Sequence, residues 1–169
     1  MISLRCTQKL LARLEQPGRK DLPEPTSVLG DWYANLVRSR PEQLVFCMNE
    51  RSLLLVIIPA KESKTLVHRF RDNVLHLLEA IGVPHQNIEA EARSMSEIKV
   101  GVTANRRIVG CLNEAIFHYS ALRGRERFVT LAEAEFFFTR NIYSPTGYRK
   151  PEQLARELFG IATATSAVH

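Results

Sequence analysis

Two apolar runs, Leu44 to Met48 and Leu53 to Ile58, are separated only by Asn49-Glu50-Arg51-Ser52. A strand with one solvated face alternates apolar and polar residues, so runs that are apolar at nearly every position must be covered on both sides. That requirement predicts a hairpin at the centre of a sheet with helices above and below it. The expected fold class is α+β: one domain over residues 1–160, with about four strands, antiparallel or mixed, packed by five to seven helices. A chain of 169 residues with 45% hydrophobic content suits this, since a domain of that size buries about 70% of its unfolded surface.

The remaining elements follow from periodicity. Ile2, Leu4 and Cys6 alternate with Ser3 and Arg5, predicting a strand, and Thr7 is placed to cap a helix carrying Leu10, Leu11 and Leu14. Pro17-Gly18, Pro23 and Pro25 mark a loop. A helix from Thr26 or Ser27 is expected to carry Val28, Leu29, Trp32, Leu36 and Val37 and to end before Pro41. Leu66, Phe70, Val74, Leu77, Leu78 and Ile81 recur at helical spacing until Gly82 and Pro84, and a shorter helix is expected over 85–95. A fourth strand begins at Glu97 and a long helix runs from about Asn105 to Leu122. Further on, a helix is expected within 128–141, a turn at Ser144-Pro145-Thr146-Gly147, a helix from Pro151 to Gly160, and a frayed tail over 161–169.

The net charge of +5 favours phosphate-rich or acidic partners but falls short of a dedicated nucleic-acid arm, because the basic residues are dispersed. Even the tight group Arg123, Arg125 and Arg127 is diluted by Glu126. The N-terminus shows no export signal and no apolar run approaches the roughly 20 residues that cross a bilayer, so a cytoplasmic protein with no membrane partner is expected. Cys6, Cys47 and Cys111 are odd in number and sit in apolar surroundings, as reduced core thiols do.

No metal-finger spacing, nucleotide-binding glycine loop or nucleophile motif is present, and no cofactor is expected. The most suggestive segment is the junction in which Glu97-Ile98-Lys99-Val100-Gly101-Val102 runs through Thr103, Ala104 and Asn105 into Arg106 and Arg107. A helix that starts directly after a strand presents unpaired N–H groups and the positive end of its dipole to an anion. On the helix that follows, Ile108, Leu112, Ala115, Tyr119 and Leu122 form a core stripe flanked by Val109 and Ile116. Cys111, Glu114 and His118 line up beside it at i, i+3, i+7, a set that offers sulfur, carboxylate and imidazole to one metal ion. The reading adopted instead packs Cys111, solvates Glu114 and sets His118 at the core margin, with no metal. Gly110, Asn113 and Phe117 occupy the opposite side, where a second layer of protein, or alternatively a ligand or partner chain, is expected to rest.

Leu29-Gly30-Asp31-Trp32-Tyr33-Ala34-Asn35 crowds polar groups around the only tryptophan, a core anchor whose indole N–H needs a partner. Asp31 and Asn35 serve either neighbouring backbone or a ligand, and Asn49-Glu50 reads first as turn chemistry. Together with Arg5-Cys6-Thr7, Lys9-Leu10, Pro59-Ala60, Asn105-Arg106, Gly110 and Asn113-Glu114, these segments resemble a family of small bacterial proteins known as a domain of unknown function, over most of residues 2–160. The resemblance implies a compact α+β unit in which the polar segments converge, and it implies no activity. That family often carries a small hydroxyl residue after the Asn-Arg pair, where this chain has Arg107.

The leading expectation is a binding module for a phosphate-bearing ligand or nucleic acid. Its ligand-binding residues would be Arg5, Trp32, Tyr33, Asn35, Asn49, Thr103, Asn105, Arg106, Arg107 and Asn113, with arginine neutralising phosphate and Trp32 or Tyr33 offering an aromatic surface. One alternative is a small hydrolase or nuclease using Asp31 or Glu114 as base and His118 as acid. Another is a regulatory protein that binds a protein partner through Phe136-Phe137-Phe138.

Overall fold

The computed structural model describes residues 1–125, 127–141 and 149–162. It forms one five-stranded mixed sheet from β1 (Ile2–Cys6), β2 (Trp32–Ser39), β3 (Glu42–Asn49), β4 (Leu55–Pro59) and β5 (Ile98–Val102), in the order β4-β3-β2-β1-β5. The described helices are α1 (Gln8–Leu14), α2 (Leu66–Ala80), α3 (His85–Ser94), α4 (Arg106–Arg123), α5 (Leu131–Arg140) and α6 (Pro151–Leu158). The turn expected at residues 144–147 and the tail from residue 163 lie outside the described residues.

β2, β3 and β4 form an antiparallel meander, with Ala34 opposite Cys47 and Phe46 opposite Ile57, while β1 runs parallel to both β2 and β5. The strand β2 replaces the helix expected from Thr26. Gly30 adopts φ +74°, which ends any helical path there, and the next residues alternate between two buried faces. Trp32 and Ala34 enter one core and Tyr33 enters the other, so the period-2 signal vanishes and the spacing of Leu29, Trp32 and Leu36 imitates a helix. This extra strand raises the sheet from four strands to five and displaces the hairpin from its centre. β4 is an edge, and β2 takes the middle position.

The double coverage demanded by the apolar runs is present. On one face Leu10, Leu11, Phe70, Val74 and Leu78 pack against Ile2, Leu4, Trp32, Val45 and Val56, with Ala155 of α6 joining them. On the other, Ile108, Leu112, Ala115, Tyr119, Ala134 and Phe138 of α4 and α5 cover Tyr33, Phe46, Met48, Leu55 and Ile57. On this second face Ser3 and Arg5 of β1 meet no apolar cluster, and the loop after α1 crosses β5, where the Arg19 carbonyl accepts the Val102 N–H at 2.9 Å. The helix layer therefore ends at the first turn of α4, and a polar cleft begins there. No described helix is long and apolar enough to cross a membrane.

Candidate functional site

The cleft encloses about 570 Å³ between β1, the entry to β2, the β3–β4 turn and the start of α4. Its floor is an ion pair. Asp31, 3% exposed, accepts from the Ser3 N–H at 2.9 Å through Oδ1 and from Arg5 Nε at 3.0 Å through Oδ2. The position follows from register, since Asp31 stands one residue before Trp32, which pairs with Leu4. Only Nε of Arg5 is engaged among the described residues, so Asp31 holds the guanidinium in place while its Nη donors remain for the cleft.

Asn49 fixes this floor from behind. Its Nδ2 donates to the carbonyls of Leu29 (2.9 Å) and Asp31 (3.2 Å), and its Oδ1 accepts from the N–H groups of Arg51 (3.1 Å) and Ser52 (2.9 Å) and from the Ser52 hydroxyl (2.8 Å). It is fully buried and consumed by these bonds, so it shapes the cleft without lining it. The next residue, Glu50, reaches forward, and its Oε1 accepts from Asn105 Nδ2 at 3.2 Å.

Asn105 is the N-cap of α4. Its Oδ1 accepts from the N–H groups of Arg107 (3.0 Å) and Ile108 (3.4 Å), and its own N–H donates to the Tyr33 hydroxyl at 3.1 Å. The open amide cluster expected at this helix start is therefore largely closed by Asn105 itself. The residues that line the cleft are rich in charge: Arg5, Arg51, Arg106 and Arg107, with Tyr33, Asp31, Glu24 and Glu50. Burial, with Glu50 adding to it, raises the Tyr33 pKa against the opposing pull of Arg5 and the Asn105 N–H. The phenol stays protonated and remains a donor. Arg51 is anchored by an Nη1 bond to the Val28 carbonyl at 2.9 Å.

Of the expected ligand-binding residues, Arg5, Tyr33, Asn105, Arg106 and Arg107 meet in this cleft, and so does Asp31. Trp32 does not. It is fully buried in the opposite core, edge-on to Phe70 at 5.4 Å, and its Nε1 has no hydrogen-bond partner among the described residues. Strand alternation sends neighbouring side chains to opposite faces, so Trp32 and Tyr33 cannot share a site. Thr103 lies outside the lining. Asn35 and Asn113 form a separate polar group: Asn35 Nδ2 donates to Asn113 Oδ1 at 3.3 Å, and Thr7, the N-cap residue of α1, turns its hydroxyl away from the helix to donate to Asn35 Oδ1 at 3.0 Å.

Glu114 and His118 are exposed on α4, roughly 13 and 20 Å beyond Asn105 at about 1.5 Å per residue, so they do not join Asp31. Asp31 itself has both carboxylate oxygens engaged. Cys111 is packed in the core, and burial raises its thiol pKa. The layer expected over Gly110 and Phe117 is absent among the described residues, with Phe117 70% exposed and open space beside Gly110, because α4 is itself the outer layer there, while Asn113 meets Asn35 of β2. Phe138 is buried and Phe137 packs edge-on to it, while Phe136 lies outside that cluster with Arg140 over its ring at 5.4 Å. Glu24, Glu50 and Arg51 are the charged lining residues absent from the expected ligand-binding set, since Asn49-Glu50 reads first as turn chemistry and Glu24 lies in the proline-marked loop.

The chain is thus a three-layer α+β protein with a polar, arginine-rich cleft at the uncovered end of one sheet face. It belongs to the family described as a domain of unknown function, DUF6933, whose model matches residues 3–154 and so spans every cleft residue. None of the curated proteins matches it.

Proposed function

We propose that this protein is a binding module for a small phosphate-bearing ligand held in the cleft beside α4. The observation that carries the reading is that four arginines, Arg5, Arg51, Arg106 and Arg107, line one open cleft together with Tyr33. Arg5 and Arg51 are pinned, by Asp31 and by the Val28 carbonyl, so little ordering entropy is lost when they meet an anion. Glu24 and Glu50 share the rim and disfavour a continuous phosphate backbone at this point. They suit a ligand with an anionic end and hydrogen-bond donors at the other, such as a nucleotide or sugar phosphate. A cytoplasmic setting in a bacterial cell fits this reading, with three buried, unpaired cysteines.

The test is calorimetric titration of adenosine monophosphate and inorganic pyrophosphate at low ionic strength into the wild type and an Arg106→Ala, Arg107→Ala double variant. The expected result is saturable binding that the double variant weakens by about tenfold or more. Undetectable binding, or equal affinity for both proteins, would refute the proposal. A single-stranded oligonucleotide titrated in parallel identifies nucleic acid as the ligand if it binds more tightly and its affinity falls steeply with salt.

A further inference from the structure

We infer that the second half of β2 is a docking edge for an extended acidic peptide segment of a partner protein, added to the sheet as a strand. β1 pairs with β2 only from Leu4 to Cys6, opposite Trp32 to Ala34, and the chain then turns away into α1. The last contact is the Thr7 N–H donating to the Ala34 carbonyl at 3.0 Å. Backbone groups on a strand point alternately to its two neighbours, so Leu36 and Arg38 direct theirs the same way as Ala34, away from β3 and beyond the end of β1. No group among the described residues accepts from either N–H.

The sheet's outer edges are partly closed: on β4 the Ile57 N–H donates to Glu135 Oε1 and the Pro59 carbonyl accepts from Arg69, and on β5 the Val102 N–H donates to the Arg19 carbonyl, while the outward N–H groups of Leu55, Ile98 and Val100 meet no acceptor among the described residues. The stretch of β2 at Leu36 and Arg38 instead opens into a groove of about 810 Å³ between α1 and α4. An open strand edge of this kind is the template for β-augmentation, in which main-chain bonds give affinity and alternate side chains give specificity.

The groove specifies those side chains. On the α1 side stand Lys9, Arg13 and Arg38, and on the α4 side Val37 and Ile116, with no carboxylate in the lining. A strand laid along this edge presents alternate residues to a basic wall and to an apolar one, so it should alternate acidic and aliphatic residues. A second copy of this chain is disfavoured, because pairing two such edges would face one basic set with another.

The probe is a capped hexapeptide of alternating glutamate and valine, titrated into ¹⁵N-labelled protein. The expected result is shifted Leu36 and Arg38 amide resonances, with hydrogen exchange at those two amides slowed by about tenfold or more. The same peptide N-methylated at alternate amides should fail to bind, and Arg13→Glu with Arg38→Glu should weaken binding by about tenfold. Unperturbed Leu36 and Arg38 amides at millimolar peptide would overturn the proposal. So would equal binding of a lysine–valine peptide or a short oligonucleotide, or protection of those amides that grows with protein concentration alone.

Discussion

Glu135 gives the fold an inverted response to pH. It is 8% exposed on α5, and its Oε1 accepts the edge N–H of Ile57 at 2.6 Å, a bond that lowers the pKa less than burial raises it. The folded-state pKa is pushed up to about 7 from an ordinary 4.5. A carboxyl group raised in this way binds its proton more tightly in the folded state, so its contribution is fully present below pH 4.5 and is lost as pH rises through about 7. At about 1.4 kcal/mol per pKa unit the loss approaches about 3 kcal/mol, a large fraction of the stability of a domain this size. Glu135→Gln keeps an acceptor for Ile57 and removes the titration. Urea unfolding at pH 5 and pH 8 should show the two proteins within about 1 kcal/mol at the lower pH and the variant more stable by about 3 kcal/mol at the higher. Glu91 is also raised by burial, but it is present in both proteins and cancels in the comparison. Parallel stability–pH curves for wild type and variant would refute the reasoning.

Asn49→Ala should destabilise the chain by about 3 kcal/mol, because it strands buried donors and acceptors in the β3–β4 turn and beside Asp31, and urea unfolding measures it. It should also weaken the proposed ligand binding in the cleft, since Asp31 and Glu50 lose their common support. Cys6, with its thiol pushed up to about 12 by burial, and Cys47, raised above all by burial, should resist a thiol reagent in the folded protein and react on unfolding. Modification of either at the rate of a free thiol would contradict the packing described.

The parts of the fold that could be read in the sequence were those where burial is one-sided or total. α2 shows its apolar stripe because one face meets the sheet, and β3 and β4 show unbroken runs because both faces do. β2 escaped because its buried faces are mixed: Tyr33 and Asn35 follow one another on the α4 side, and Leu29, Trp32 and Leu36 recur at the spacing of a helix. That single misreading also obscured the cleft. A helix from Thr26 or Ser27 to just before Pro41 would set Asp31 and Asn35 one turn apart on one face, whereas a strand sends Trp32 to the opposite core and spaces Asn35 about 13 Å along from Asp31. Arg5, Asn105, Arg106 and Arg107 were legible as polar residues at strand ends, the places where packed helices leave a sheet uncovered. Glu50 and Arg51 could have been found by one further step. In an antiparallel pair that sets Trp32 opposite Asn49, the residue after Asn49 must face the residue before Trp32, and the Glu50 N–H does donate to the Asp31 carbonyl at 3.0 Å. Register, more than composition, carries the β3–β4 turn into the cleft. A one-residue slip of β2 against β3 would therefore remove Glu50 from Asn105 and leave the start of α4 without its present support.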